Sequence, residues 1–187
     1  MATQFRVDGK PYAEFEAALD YLDPLEGGFS DHAADKGGAT KWGISLRFLN
    51  LVAEGDVNGD GHVDVKDIHA MTPTHRTFFY EKYFWEHYKL FNVRSQPIAN
   101  RLFSIYVHMR SKDAGLVVQR ACRSVQKVLK IDGMVGAKTF TCINSANDFE
   151  LLAAIRSEQA AVYEKIVLKN PDQAVYLDGW LNRAYLL

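Results

Sequence analysis

The sequence predicts a mainly α-helical protein with one small β element near residues 29–44. Several segments carry apolar residues at helical spacing, which favours amphipathic helices over strands. A glycine-rich run between residues 27 and 43 is short of strong helix formers and predicts a turn or small hairpin. The chain has 187 residues and is 48% hydrophobic, which is enough for a sizeable core in one compact domain or two small lobes.

The first helix is predicted from Phe15, Ala18, Leu19, Leu22 and Leu25, which share one face. The glycines that follow it are a typical helix stop. Further helices are predicted in the segments 45–54, 73–88, 97–109, 112–130, 148–168 and from 171 onwards. No long linker or internal repeat is visible. We predict two lobes, residues 1–110 and 111–187, with residues 56–67 inserted in the first.

Composition and charge exclude some classes of protein. The net charge is −1, so no global basic surface for nucleic acid is expected. No run of about 18 apolar residues suggests a membrane span, and the first residues lack the pattern of a signal peptide. Cys122 and Cys142 do not make a disulfide framework. We favour two buried thiols, with a single bridge as the alternative.

Glu26 is the strongest candidate for catalysis. It is predicted at the carboxyl end of the first helix, where the negative helix pole disfavours a further negative charge. A partly buried Glu there should have a raised pKa and act as a general acid.

Asp35 and Thr40 flank the glycine-rich run that follows Glu26. A glycosidase site contains one carboxylic acid, which protonates the leaving oxygen. A second carboxylate, assisted by a hydroxyl group, holds a water molecule on the other face of the sugar. The alternative is a glycine-rich turn beside an ordinary surface acid, since Asp and Glu are usually solvated.

The motifs around Glu26 carry a family resemblance. Glu26-Gly27-Gly28-Phe29, Asp35, Gly37-Gly38-Ala39-Thr40 and Gly43-Ile44 resemble the signature of glycoside hydrolase family 108 muramidases, which occur in phage endolysins and bacterial lysozymes. The order Glu, Asp, Thr is also similar to that of phage T4-type lysozymes. The resemblance implies a lysozyme-like fold, Glu26 as acid, and Asp35 and Thr40 as residues that position water. It also implies hydrolysis of the β-1,4 bond between N-acetylmuramic acid and N-acetylglucosamine.

The resemblance extends to the C-terminal half. The segment Asp132-Gly133-Met134-Val135-Gly136-Ala137-Lys138-Thr139 resembles a peptidoglycan-binding module. Gly179-Trp180-Leu181-Asn182-Arg183 resembles a motif near the family's end, and Arg183 is either a partner of a carboxylate or a plain surface residue. Tyr106-Val107-His108-Met109-Arg110 departs from the family's Phe-Asp and Asn-Ser-Gly elements, which puts any substrate contact there in doubt.

Residues 78–88 are unusually rich in aromatic side chains. This pattern is more typical of a protein core than of a sugar-stacking wall, although similarity to a Tyr-Trp element of the family suggests that some rings face substrate.

An acidic loop at residues 56–67 has the spacing of a calcium loop. Oxygen ligands are predicted from Asp56, Asn58, Asp60, His62 (backbone carbonyl), Asp64 and Asp67. Gly61 suits the sharp turn. Asp67 replaces the usual Glu of an EF-hand and resembles dockerin-type loops instead. We expect a structural Ca²⁺, and a solvated acidic loop that binds nothing is the alternative.

Taken with the resemblance, these features predict a bacteriolytic endolysin whose partner is the peptidoglycan glycan strand. We expect a monomer that binds no nucleic acid and inserts in no membrane. It would be made in the host cytoplasm and reach the wall through a holin. A lytic transglycosylase, a wall-binding module without turnover and a bacterial muramidase are the alternatives.

Overall fold

The computed structural model describes residues 12–22, 39–125 and 129–185. Within these ranges the protein is mainly helical, which confirms the predicted fold class. The helices are α1 (Phe15–Leu22), α2 (Leu46–Leu49), α3 (Val65–Ala70), α4 (Pro73–Tyr80), α5 (Gln96–His108), α6 (Ser111–Val125), α7 (Ala137–Ser145), α8 (Asp148–Lys169) and α9 (Leu177–Tyr185). The strands are β1 (Thr40–Lys41) and β2 (Ile44–Ser45). A π-helical segment (Glu81–Glu86) continues α4, and 3-10 turns occupy Leu90–Asn92 and Pro171–Tyr176.

The chain forms two compact units. Residues 19–83 make one, which we call the hairpin unit, and residues 1–18 with 84–187 make the other, the helical unit. Helix α5 belongs to the helical unit because it packs against α6 and α8. The boundary between the two predicted lobes, at residue 110, differs from the boundaries of these units. The two lobes stay a prediction.

The described part of the hairpin unit contains one two-stranded β-sheet, which is a β-hairpin. β1 and β2 pair antiparallel, with Thr40 opposite Ser45. The two linking residues, Trp42 (φ 51°) and Gly43 (φ 75°), both have positive φ. Two such residues in succession are typical of the tight turns whose twist matches that of paired strands. The small β element predicted near residues 29–44 is thus confirmed in its described part.

Three aromatic rings build the core of the helical unit around α1, the π-helical segment and α5. Phe15, Trp85 and Phe103 form a triangle in which each pair of ring centroids is 5.9 Å apart. Two of the three pairs meet edge to face, an arrangement that the charge distribution of aromatic rings favours. Burying the three rings removes apolar area from water and stabilises the fold.

Three further helices of the helical unit pack along α8. This 22-residue helix contacts α5, α6 and α9. Its amino end is capped by Asn147, whose side chain accepts hydrogen bonds from the backbone N–H groups of Phe149 and Glu150. Ala160 and Tyr163 on α8 and Ala184 on α9 form a buried cluster. The sequence prediction of helix 148–168 agrees with α8 within one residue at its end.

Two single features complete the description. Cys122 and Cys142 are buried free thiols, as the favoured interpretation predicted. In the part of the chain that the structure describes, no helix is long and apolar enough to cross a membrane.

Candidate functional site

Of the three predicted catalytic residues, Glu26 and Asp35 lie outside the described residues. Thr40 is described: it begins β1 and its side chain is half-buried. Backbone pairing with Ser45 fixes the direction of this strand. The hairpin that carries Thr40 is therefore the described part of the predicted site.

Two long-range anchors hold the hairpin. The hydroxyl of Tyr80 donates a 2.7 Å hydrogen bond to the backbone oxygen of Trp42. The ammonium group of Lys41 donates to the backbone oxygens of His69 and Met71, at 3.0 and 2.7 Å. These bonds tie the turn and one strand to helices α3 and α4. Strand β1, which carries Thr40, is thus held by tertiary contacts as well as by its partner strand.

Glu54 is a carboxylate that the sequence analysis did not single out. It accepts hydrogen bonds from the Lys82 ammonium group and the Tyr83 hydroxyl. These bonds lower the pKa of Glu54, with the Lys82 bond contributing most. A general acid must stay protonated near neutral pH, so a lowered pKa does not suit that role. Glu54 is better explained as part of a structural ion pair that joins the turn after α2 to the π-helical segment.

The acidic loop at residues 56–67 is closed on itself by backbone N–H groups. The Asp56 carboxylate accepts from the N–H groups of Gly59, Asp60 and Gly61, at 2.8, 3.1 and 2.8 Å. Gly59 and Gly61 have φ of 76° and 86°, a backbone conformation that glycine adopts readily. Gly61, the glycine predicted for the sharp turn, therefore has the left-handed backbone conformation that such a turn requires.

Asp67 anchors the other end of this loop. Its side chain is 0% exposed, and one oxygen accepts from Val57 N–H (2.8 Å) and Asn58 N–H (3.1 Å). The other oxygen accepts from Asp64 N–H (2.8 Å), which completes a capping box at the start of α3. Burial alone would raise the pKa of Asp67, but these three hydrogen bonds outweigh it and the pKa is lowered.

The predicted metal ligands are therefore engaged with the backbone. Both oxygens of Asp67, the expected twelfth-position ligand, already accept hydrogen bonds. The Lys66 ammonium group lies 3.8 Å from Asp60 and 3.6 Å from Asp64. Within residues 12–22, 39–125 and 129–185, no three His, Cys, Asp or Glu side chains are grouped so that they could hold a metal ion. The calcium site of this loop stays a prediction.

The aromatic segment at residues 78–88 divides between core and surface. Phe79, Tyr80 and Trp85 are buried, in line with the favoured interpretation as core. Phe78 is exposed and Tyr88 is half-buried, so these two rings are accessible. The π-helical segment was not predicted, because periodicity cannot distinguish one widened turn from regular helix.

The turn that resembles a peptidoglycan-binding module is fixed by a side chain that the sequence analysis passed over. Gln119 on α6 accepts from the N–H groups of Asp132 and Gly133, at 2.9 and 2.7 Å. Its amide nitrogen donates to the Asp132 carboxylate and to Met134 O, both at 2.9 Å. A polar residue on the apolar face of α6 was the available signal, because a buried amide needs partners.

Close packing between α6 and this turn requires a residue without a side chain. A Cβ atom on Gly115 would lie only 2.0 Å from the backbone oxygen of Gly133. Gly133 itself has φ of 81°. These two glycines allow the turn to lie directly on the helix.

The C-terminal motif is packed inside the helical unit. The Trp180 ring stacks on Tyr163 and Tyr176, with centroids 5.4 and 5.8 Å apart. The Arg183 guanidinium lies against the imidazole of His108, and the backbone oxygen of Arg183 accepts a hydrogen bond from Arg101. His108 is within the stretch that departs from the family, so this contact joins that stretch to the C-terminal motif that resembles the family.

Two family models match successive parts of the chain. Residues 19–109 match a family model described as glycosyl hydrolase 108. Residues 113–185 match a model described as a predicted peptidoglycan domain. No curated protein matches the chain.

A solved structure, Brucella abortus SagA, has the same fold. It superposes with a TM-score of 0.67 at 20% sequence identity, over 92% of this chain and 94% of SagA. The glycosyl hydrolase 108 domain and the predicted peptidoglycan domain together support a glycoside hydrolase that degrades peptidoglycan.

Proposed function

We propose that this chain hydrolyses the β-1,4 bond between N-acetylmuramic acid and N-acetylglucosamine in bacterial peptidoglycan. Glu26 protonates the oxygen of the leaving sugar, and Asp35 with Thr40 positions a water molecule on the opposite face of the ring. This division of roles predicts inversion at the anomeric carbon, because the water attacks directly.

The observation that carries the proposal is the glycosyl hydrolase 108 match, whose range includes all three residues. The anchored hairpin supports the role of Thr40, since a residue that positions water must itself be held in place. The carboxyl groups of Glu54, Asp67 and Asp132 are poor alternatives for the acid, because their surroundings lower the pKa of each.

The test is loss of turbidity of purified peptidoglycan with the wild type and Glu26→Gln side by side. Glu16→Gln is the matched control, since it makes the same chemical change at an exposed position of α1. We expect clearing by the wild type and the control, and a loss of about 10³-fold or more in Glu26→Gln. Full clearing by Glu26→Gln at an unchanged melting temperature would refute the assignment.

Mass spectrometry of the released sugars separates the two enzymatic alternatives. Hydrated reducing ends indicate a hydrolase, whereas anhydro ends indicate a lytic transglycosylase, which needs one acid and no positioned water. Binding to purified wall without release of sugars would instead indicate a module that does not turn over.

Two further parts of the proposal concern where the protein acts and which cation it binds. We propose that the protein acts as a monomer on the cell wall, reached from the host cytoplasm by way of a holin. We also propose that the acidic loop binds Ca²⁺ through Asp56, Asn58, Asp60, the His62 carbonyl, Asp64 and Asp67. Binding is weak, because backbone N–H groups compete for the oxygens of Asp56 and Asp67. No catalytic step depends on this ion.

A further inference from the structure

An open cleft of about 820 Å³ lies within the helical unit. We call it the tyrosine cleft. One wall consists of residues 87–94 with Tyr106 from α5, and the other of residues 133–137 with α7. Its volume is within the range of about 300–1,000 Å³ that is typical of ligand sites.

Stacked tyrosine rings form the aromatic part of the first wall. Tyr88 and Tyr106 are nearly parallel, with centroids 3.8 Å apart and planes inclined by 14°. Tyr106 is only 4% exposed, whereas Tyr88 is half-buried. The His87 ring meets Tyr88 edge to face at 4.7 Å. The accessible ring is therefore held by two neighbours and presents a rigid apolar surface.

The charged side chains in the described lining of the tyrosine cleft are cationic. Lys89 and Arg94 line it and are exposed, and no Asp or Glu is found among the described residues of its lining. Lys89 has φ of 54°, a left-handed conformation that costs a non-glycine residue energy. Such strain persists where the surrounding structure imposes it, and it concentrates at functional sites.

Both walls are fixed before any ligand binds. Asn144 on α7 donates to the backbone oxygen of Asn92 at 2.8 Å and accepts from the N–H of Arg94 at 2.9 Å. The turn of the second wall is held by the four hydrogen bonds of Gln119. A preorganised cleft loses little entropy on binding, which favours a recognition role over an accidental gap.

We propose that the tyrosine cleft binds the anionic peptide stem of peptidoglycan, with Lys89 and Arg94 pairing with its carboxylates and Tyr88 packing on the adjoining sugar or peptide. This inference rests on peptidoglycan as the substrate under the proposed function. The glycan strand alone is largely neutral, whereas the stem carries free carboxylates. A cleft whose described lining holds two exposed cations and no Asp or Glu therefore selects the stem. Charge-assisted hydrogen bonds from both side chains supply affinity and orientation.

The test is calorimetric binding of a disaccharide tetrapeptide from peptidoglycan, in a Glu26→Gln background that prevents turnover. Lys89→Gln with Arg94→Gln removes two charges from the cleft. Lys165→Gln with Lys169→Gln removes two exposed charges from α8, outside the cleft, and is the matched control. N,N′-diacetylchitobiose, a neutral disaccharide, is the reference ligand.

We expect the cleft pair to weaken binding of the disaccharide tetrapeptide about tenfold or more, and the control pair to change it less than about twofold. Binding of the neutral disaccharide should be the same in all proteins. The charge-conserving pair Lys89→Arg with Arg94→Lys should retain most of the affinity, which separates loss of charge from loss of folding.

Equal affinity in the cleft pair and the parent would overturn the proposal, as would an equal loss in the control pair or no binding by the parent. The readout does not depend on turnover. Failure of the turbidity assay would therefore refute the hydrolase without affecting this result, and failure of binding would leave the hydrolase intact.

Discussion

Two turns of this protein look alike in sequence but are closed by different chemistry. The acidic loop at residues 56–67 and the turn at residues 131–136 both combine aspartate with glycine of positive φ. The first is closed by Asp67, a buried carboxylate that accepts three backbone hydrogen bonds. The second is closed by Gln119, a 2% exposed amide that accepts two hydrogen bonds and donates two.

This difference in the closing side chain predicts which changes of pH or sequence each turn can tolerate. A carboxylate is the stronger acceptor, but it must stay ionised to accept on both oxygens. An amide is neutral at every ordinary pH and can serve donors and acceptors at once. The first turn should therefore depend on pH and on the charge of its central residue, and the second should depend on the placement of a donor.

The largest expected effect is that of Asp67→Asn. The variant keeps the shape of the side chain but turns an amide NH₂ towards backbone N–H groups, so at least one buried donor loses its acceptor. We expect a loss of about 2–3 kcal/mol in the free energy of unfolding, since hydrogen bonds to charged groups are the stronger class. Thermal and denaturant unfolding in the presence of a chelator measure it.

Asp60→Asn is the matched control for this variant, because Asp60 is exposed in the same loop. Its free energy of unfolding should change by less than about 0.5 kcal/mol. A similar loss in both variants would mean that loop charge, and not the Asp67 hydrogen bonds, stabilises the loop.

The lowered pKa of Asp67 gives this effect a definite pH dependence. A carboxyl group with a lower pKa in the folded state contributes stability above its unfolded pKa and loses it as pH falls through the folded pKa. The difference between wild type and Asp67→Asn should thus be full at pH 7 and shrink below about pH 4. A difference that is constant from pH 7 to pH 2.5 would contradict the ionised role.

Gln119→Glu is expected to lower the free energy of unfolding by a smaller amount, and its loss should shrink as pH falls because the introduced carboxylate becomes protonated. The new carboxylate can still accept from the turn, but it loses the two donations and faces the carboxylate of Asp132. We expect a loss of about 1–2 kcal/mol at pH 7. Because the folded state disfavours this charge, the pKa of the introduced group should be raised, and stability should recover as pH falls below its folded value.

Gln119→Met, which is neutral and of similar size, serves as the comparison for that variant. It should be destabilised by the same amount at pH 7 and pH 5, because it has no titrating group. If Gln119→Glu showed no recovery of stability at low pH relative to Gln119→Met, the second turn would not depend on a donor as argued.

These two turns also show how far sequence alone could go. Helix positions and the hairpin could be predicted, because they depend on local spacing and on glycines at fixed places. The role of Asp67 could not. An alternating row of acids has the same pattern whether its oxygens face a cation or backbone N–H groups, and only the folded loop distinguishes the two.

The tyrosine cleft was beyond sequence reasoning for a different reason. Tyr88, Tyr106 and Asn144 are far apart in the chain, and each has an ordinary explanation as a core or capping residue. Their meeting depends on the packing of α5, α6 and α7, which no local pattern encodes. The resemblance marked residues 132–139 as a binding turn, but it gave no indication of the opposite wall.

The smallest expected effect is that of Ca²⁺ on the first turn. Because backbone N–H groups already occupy the oxygens of Asp56 and Asp67, the loop should bind Ca²⁺ only with a Kd of about 1 mM, as weak calcium modules do. At about 5 mM Ca²⁺ this gives a stabilisation of about 1 kcal/mol, seen as a small rise in Tm relative to chelator. Asp60→Asn should abolish the rise, and Mg²⁺ should not reproduce it, because its octahedral geometry suits an irregular loop poorly. An unchanged Tm in wild type would leave backbone N–H groups as the partners of the loop carboxylates, and the first turn, like the second, would be closed by the protein alone.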